Sequence, residues 1–186
     1  MTIKKIALFS AVASIFFSIA NANSLYDTYR GQYLSVNAGA SYANNVFSNG
    51  KSSSGFLGFG GDLFLGDQVS PYFSPEVVLD YFDLSPMGGG AIVFGLDGRF
   101  TVPVSEHIAL FARLGPAVGY IRTCVSGLCR TSNGLVPALG LGAGYALTQQ
   151  WTLSLEFNGA YFPKSTANGN GLIGAATIGA TRFFYQ

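Results

Sequence analysis

One run near the C-terminal end, Trp151 to Phe162, constrains the fold more than any other stretch of the chain. It reads W-T-L-S-L-E-F-N-G-A-Y-F. Trp151, Leu153, Leu155, Phe157 and Tyr161 share one parity, and Thr152, Ser154, Glu156, Asn158 and Ala160 share the other. Successive side chains of a β-strand point to opposite faces, so a period of two marks a strand whose faces meet different surroundings. The apolar face begins and ends with an amphipathic aromatic, Trp151 and Tyr161. A tilted strand needs about ten residues to cross a bilayer. The run reads as a membrane strand, and the question is whether its neighbours agree.

Charged residues make up 10% of the 186, against about 25% in an ordinary soluble domain. Mean hydropathy is +0.36. The formal charge is only +1, so nucleic acid is not an expected partner. Residues 1–22 read as a cleaved secretory signal peptide: Lys4 and Lys5 in a basic start, an apolar stretch from Ile6 to Ile19, and a small-x-small site at Ala20-Asn21-Ala22. Without Lys4 and Lys5, eight of the ten basic residues remain against nine acidic ones, a charge near −1. No later run of about 18 apolar residues offers a helical span. An exported chain this apolar with no such run points to a closed β-barrel, here residues 23–186.

Eight segments have strand character: about Gln32–Tyr42, Gly55–Gly66, Pro71–Phe82, Gly90–Val102, His107–Arg122, Gly134–Leu147, Trp151–Phe162 and Asn170–Tyr185. The connections run long, short, long, short, long, short, long. Outer-membrane barrels show this asymmetry, with long extracellular loops and short periplasmic turns. The expected class is all-β, an eight-stranded antiparallel transmembrane up-and-down barrel. The last segment does not declare a face, because Ala175, Ala176, Thr177, Gly179 and Ala180 are all small. Pro116 and Pro137 fall inside strands and predict a bulge or irregular pairing near one of them.

The rival all-β fold is a soluble barrel holding a ligand, with its apolar face inward. Its outer face would then be mostly Gly, Ala, Ser, Thr and Asn, a poor soluble surface but a good filling for a narrow lumen. Asp97, Arg99, Arg113 and Glu156 also fall on the polar parity in mid-strand. An Arg facing lipid at the midplane costs roughly 2–4 kcal/mol. The apolar face therefore belongs to lipid. Tyr33, Tyr42, Tyr72, Tyr81, Tyr120, Tyr145, Trp151, Tyr161 and Tyr185 lie near strand ends, where interfacial aromatic girdles form, and some of them are expected to fill the lumen instead.

Leu110–Gly115 (L-F-A-R-L-G), Pro137–Thr148 (P-A-L-G-L-G-A-G-Y-A-L-T), Leu155-Glu156, and Asn170-Gly171 followed by Thr181-Arg182-Phe183 resemble the OmpA-like outer-membrane β-barrel family. The likeness covers most of the chain after residue 22. The sequence ends at Gln186, so the peptidoglycan-binding domain of longer members is not expected, nor their anchoring role. Phe183-Phe184-Tyr185 resembles the aromatic C-terminal signal of outer-membrane proteins, which implies the barrel-assembly machinery as a partner, beside outer-membrane lipid. The resemblance also implies a lumenal salt-bridge cluster that plugs the barrel or gates a small pore, in the outer membrane of a Gram-negative bacterium.

A hairpin of the fourth and fifth strands centred on Ser105 would set Asp97 opposite Arg113, with Arg99 two residues away and Glu156 beside Gly142 or Gly144. These four form the expected interior charge cluster: either they satisfy one another or they line a conducting path. His107, the only histidine, sits in a short turn next to Glu106 and is followed by Ile108 and Ala109, without the His-x-Ser pattern of a lipid A deacylase. No P-loop, zinc spacing or dinucleotide fingerprint is present. No catalytic residue, metal or cofactor is therefore expected. The expected role is structural or surface-interacting, with host or surface ligands at the Ser/Asn/Gly-rich loops. A low-conductance pore is the alternative, and a lipid-modifying barrel enzyme a third.

Cys124 and Cys129 flank V-S-G-L in the third long loop and are expected to form a disulfide, as suits an exported protein. The enclosed loop is short, so the stabilisation is of order 2–3 kcal/mol at most. Thiol labelling of the non-reduced protein should modify neither cysteine, and a stoichiometric label on either would rule out the bond.

Overall fold

The computed structural model describes residues 29–44, 54–85, 89–125, 128–162 and 171–184. The expected signal peptide, most of the first long loop and the loop at 163–170 lie outside the described residues. Eight strands follow one another: β1 (Gly31–Asn44), β2 (Ser54–Gln68), β3 (Phe73–Leu84), β4 (Gly89–Pro103), β5 (Ile108–Val125), β6 (Leu128–Ala146), β7 (Trp151–Phe162) and β8 (Gly171–Phe183). Each pairs antiparallel with the next, and β1 pairs with β8, which closes the barrel. Closure leaves no unpaired edge, the condition for a sheet to stand in hydrocarbon.

The alternation read in Trp151–Phe162 holds around the whole wall. Val36, Leu65, Leu96, Leu114, Leu135, Leu141, Phe157 and Ile178 are all more than half exposed. Ser35, Asp62, Glu76, Arg99, Arg113 and Glu156, on the other parity, are buried. A monomer in water does not carry an apolar belt of this extent; in a bilayer it is the lipid face. Strand β8 also resolves its faces. Ile173, Ala175, Thr177 and Thr181 are buried inside, while Leu172, Ile178 and Arg182 face outward. Small outward residues had hidden the period there.

The three short turns share one device, a hydroxyl that accepts a backbone N–H. Ser70 Oγ accepts from Tyr72 N at 3.3 Å, and Ser105 Oγ from Ile108 N at 3.1 Å. Thr148 Oγ1 accepts from Gln150 N and Trp151 N, both at 3.1 Å.

Two features differ from the sequence expectation, the reach of β5 and β6 and a register shift in β1, while the irregular pairing expected near a strand proline is found at Pro116. The fifth and sixth strands run further, to Val125 and from Leu128, and pair Cys124 directly with Cys129. The cysteines form a disulfide with their Cα atoms 3.9 Å apart. It staples two strand ends where a longer loop was expected. Pro116 and Pro137 stand opposite one another with the register between β5 and β6 unbroken, both pointing outward. The irregularity is on the other side of β5, where pairing with β4 skips Leu96 and Asp97 and then resumes in the same register. Pro116, which lacks an N–H, sits at that gap. A true register shift occurs elsewhere, between β1 and β2 at Ser41/Tyr42.

Closed barrels of this size resist detergent until heated. Refolded protein should therefore migrate differently on a gel before and after boiling. Identical mobility of the two samples would contradict the fold.

Candidate functional site

The inward face is layered. Toward the short turns lie Tyr29, Tyr33, Ala109, Ala146 and Phe183, with the rings of Tyr29 and Phe183 stacked at 4.2 Å. Toward the long loops lies a larger apolar cluster that includes Phe82, Leu84, Val93, Ile121, Phe162 and Ile173. The charges lie between these two layers.

Strands β2, β3, β4, β5 and β7 each contribute to them: Asp62, Glu76 and Asp80, Asp97 and Arg99, Arg113, and Glu156, all buried. Arg113 is the hub. Its Nε donates to Glu76 Oε2 at 2.6 Å, and its Nη1 donates to Glu156 Oε2. Arg99 Nη1 lies 3.7 Å from Glu76 Oε1, and the Tyr33 hydroxyl donates to the same oxygen. Aromatic faces complete the setting. The Arg113 guanidinium carbon is 3.8 Å from the centre of the Phe64 ring and 4.8 Å from that of Phe111, while the Arg99 guanidinium carbon is 4.1 Å from the same Phe111 centre. Each ring offers its negative face to a cation that has left water.

Glycine makes room for this arrangement at two positions. A Cβ on Gly142 would run into the ring of Phe111, and one on Gly66 into that of Tyr33. Glu156 stands opposite Gly142 in the register, as the sequence allowed, but the space above Gly142 belongs to Phe111.

Of the four residues singled out from sequence, the structure joins Arg113 to Glu156 and sets Arg99 near Glu76. It does not pair Asp97 with Arg113. The β4–β5 hairpin is centred on residue 106, one later than expected, so Arg113 faces Arg99 and Asp97 falls beside the pairing gap at Gly115. A shift of one residue in the centre moves each partner by two, which keeps the inward parity and changes the neighbour. On its other side Asp97 stands opposite Glu76. Glu76, Asp62 and Asp80 were outside the four, although each lies on the inward parity of its strand, the signal used for the others. Asp62 Oδ2 accepts from Asn158 Nδ2 and Thr177 Oγ1, both at 2.9 Å.

Five carboxyl groups against two guanidinium groups make a formal interior charge of −3 if all are ionised. Asp62 faces Asp80, and Glu76 faces Asp97, directly across strand pairs. Like charges about 5 Å apart repel by about 3 kcal/mol at an effective dielectric constant of about 20. The layer is thus tightly paired at Arg113 and over-supplied with acid around it.

His107 lies apart, exposed in the β4–β5 turn, with its ring stacked at 5.7 Å on Tyr145. Among the described residues, no three His, Cys, Asp or Glu side chains converge as metal ligands would.

A family model described as the outer membrane protein beta-barrel domain matches residues 9–182. The chain belongs to that family, an outer-membrane protein of Gram-negative bacteria. Outer membrane protein A of Yersinia pseudotuberculosis is 29% identical over 169 residues, 83% of this chain and 47% of its own length. The chain thus spans about half of that relative. Neisserial surface protein A shares the fold with a TM-score of 0.67 at 15% identity, covering 83% of this chain and 97% of that one. Ail of Yersinia pestis follows with 0.58 at 14% identity, over 83% and 99%.

Removing the hub leaves two buried carboxylates without a partner, which costs about 3–5 kcal/mol. Arg113→Ala should therefore lower the urea midpoint of the lipid-embedded barrel well below that of Arg182→Ala, whose exposed guanidinium lies over Trp151. Equal midpoints would show that the cluster does not hold the interior together.

Proposed function

We propose that this outer-membrane barrel is a non-enzymatic scaffold, its lumen closed by the charged layer, that presents its extracellular loops to partners at the cell surface. Residues 1–22 serve as its signal peptide, and the aromatic C-terminal end hands the chain to the barrel-assembly machinery. The observation that carries the reading is the interior. An eight-stranded barrel has room only for side chains, and here Arg113 is paired across strands with Glu76 and Glu156 between two apolar layers. Such a lumen supports a rigid wall rather than a substrate cavity. The position of His107, exposed in a turn and stacked on a tyrosine, supports a role without catalysis. Surface contact by such barrels has a parallel in Ail of Yersinia pestis, solved with the heparin analogue sucrose octasulfate.

The second reading, a low-conductance pore, draws on the same charged layer, since ionisable groups in mid-barrel would select ions if the layer parted. Planar-bilayer recording on refolded protein separates the two. A silent bilayer, with protein insertion verified by protease protection, is the expected result. Reproducible unitary steps that change size in Arg113→Ala would establish the pore instead.

A further inference from the structure

The acid surplus is concentrated where the Arg113 hub does not reach. Asp62 and Asp80 stand directly opposite on β2 and β3, both pointing inward and both less than 5% exposed. One oxygen of each, Oδ1, is buried without a hydrogen-bond partner among the described residues. The other oxygen of Asp62 already accepts two hydrogen bonds, from Asn158 Nδ2 and Thr177 Oγ1. The charged groups facing Asp80 are Asp62 from β2, Asp97 from β4, Arg113 from β5 and Glu156 from β7, with Glu76 on β3 itself. Three of the four facing groups are acidic, and the guanidinium is committed to Glu76 and Glu156.

We propose that the barrel interior is a proton-binding site in which the Asp80 carboxyl holds a proton at neutral pH and donates it to Asp62. One O–H···O bond satisfies both orphan oxygens and removes the like-charge pair at once. A proton needs no coordination shell, whereas no metal-ligand triad is assembled among the described residues. The inference goes beyond the scaffold reading and does not depend on what the loops bind.

The proton comes from water on folding, because an unfolded Asp is ionised above about pH 4. The native state then binds more protons than the unfolded state, so the stability this proton contributes is fully present below about pH 4 and is lost as pH rises through neutrality. One such proton lowers the folding equilibrium constant about tenfold per pH unit. Urea unfolding in phosphatidylcholine vesicles at a series of pH values should show at least this dependence in the wild type. Asp80→Asn, which keeps the shape and a donor, should fold and lose a tenfold-per-unit share of it. Asp67→Asn, an outward-facing carboxylate at the end of β2, should keep the wild-type slope. The infrared carbonyl stretch of a protonated carboxyl should appear in the folded wild type at neutral pH and be missing from Asp80→Asn. A slope unchanged in Asp80→Asn, failure of that variant to fold, or no such band in the wild type would each overturn the proposal. So would stability that rises with sodium or potassium at fixed ionic strength, which would assign the pair to a cation.

Discussion

A backbone in hydrocarbon has no water to bond, and each unpaired N–H or C=O there costs several kcal/mol. In this protein the constraint is met by the pairing of β1 with β8, which joins the first and last strands and leaves a wall without an edge. Much else follows from that closure. The outer face must be apolar because it meets lipid, and the inner face must fill a lumen only one side chain deep on each side. The glycines lining β2 and β6 are part of the same demand, since rings from facing strands lie where their side chains would be.

Within that lumen, the charged layer is placed at the costliest depth and depends on its neighbours for compensation. Arg113 has left water entirely, and what replaces its hydration is two carboxylates and two aromatic faces. Arg99 stands directly across from it and shares both Glu76 and the Phe111 ring. The two cations are held at one level by common partners, so the layer behaves as one network and not as separate pairs.

The fold was legible in the sequence because lipid imposes a plain rule. The outward positions are apolar except near strand ends, as at Asp67 and Arg122, so parity alone separates the faces in β2 to β7. It failed in β8, where Ala176 and Ala180 on the outside are no larger than Ala175 within. It also could not place charges in register. The turn at 104–107 can be centred on Ser105 or on Glu106 without changing any residue's face, and only the structure selects the second. Glu76 shows the same limit differently. It sat on the inward parity of a strand distant in sequence from Arg113, and nothing local links the two; the barrel's curvature brings them together.

The stapled hairpin changes how far the molecule reaches. Strands β5 and β6 have 18 and 19 residues, the longest in the wall. At about 3.3 Å per residue and a tilt of about 40°, eighteen residues rise about 45 Å, while the apolar band is about 25 Å tall. Because β5 starts next to the short turn at 104–107, nearly all of the excess stands on the loop side. The protein therefore carries a mast of paired backbone above the membrane, and the Cys124–Cys129 bond keeps its tip from fraying. The residues near that tip are held clear of the surrounding lipid headgroups at a height set by strand length, and an oxidising exterior is what maintains it.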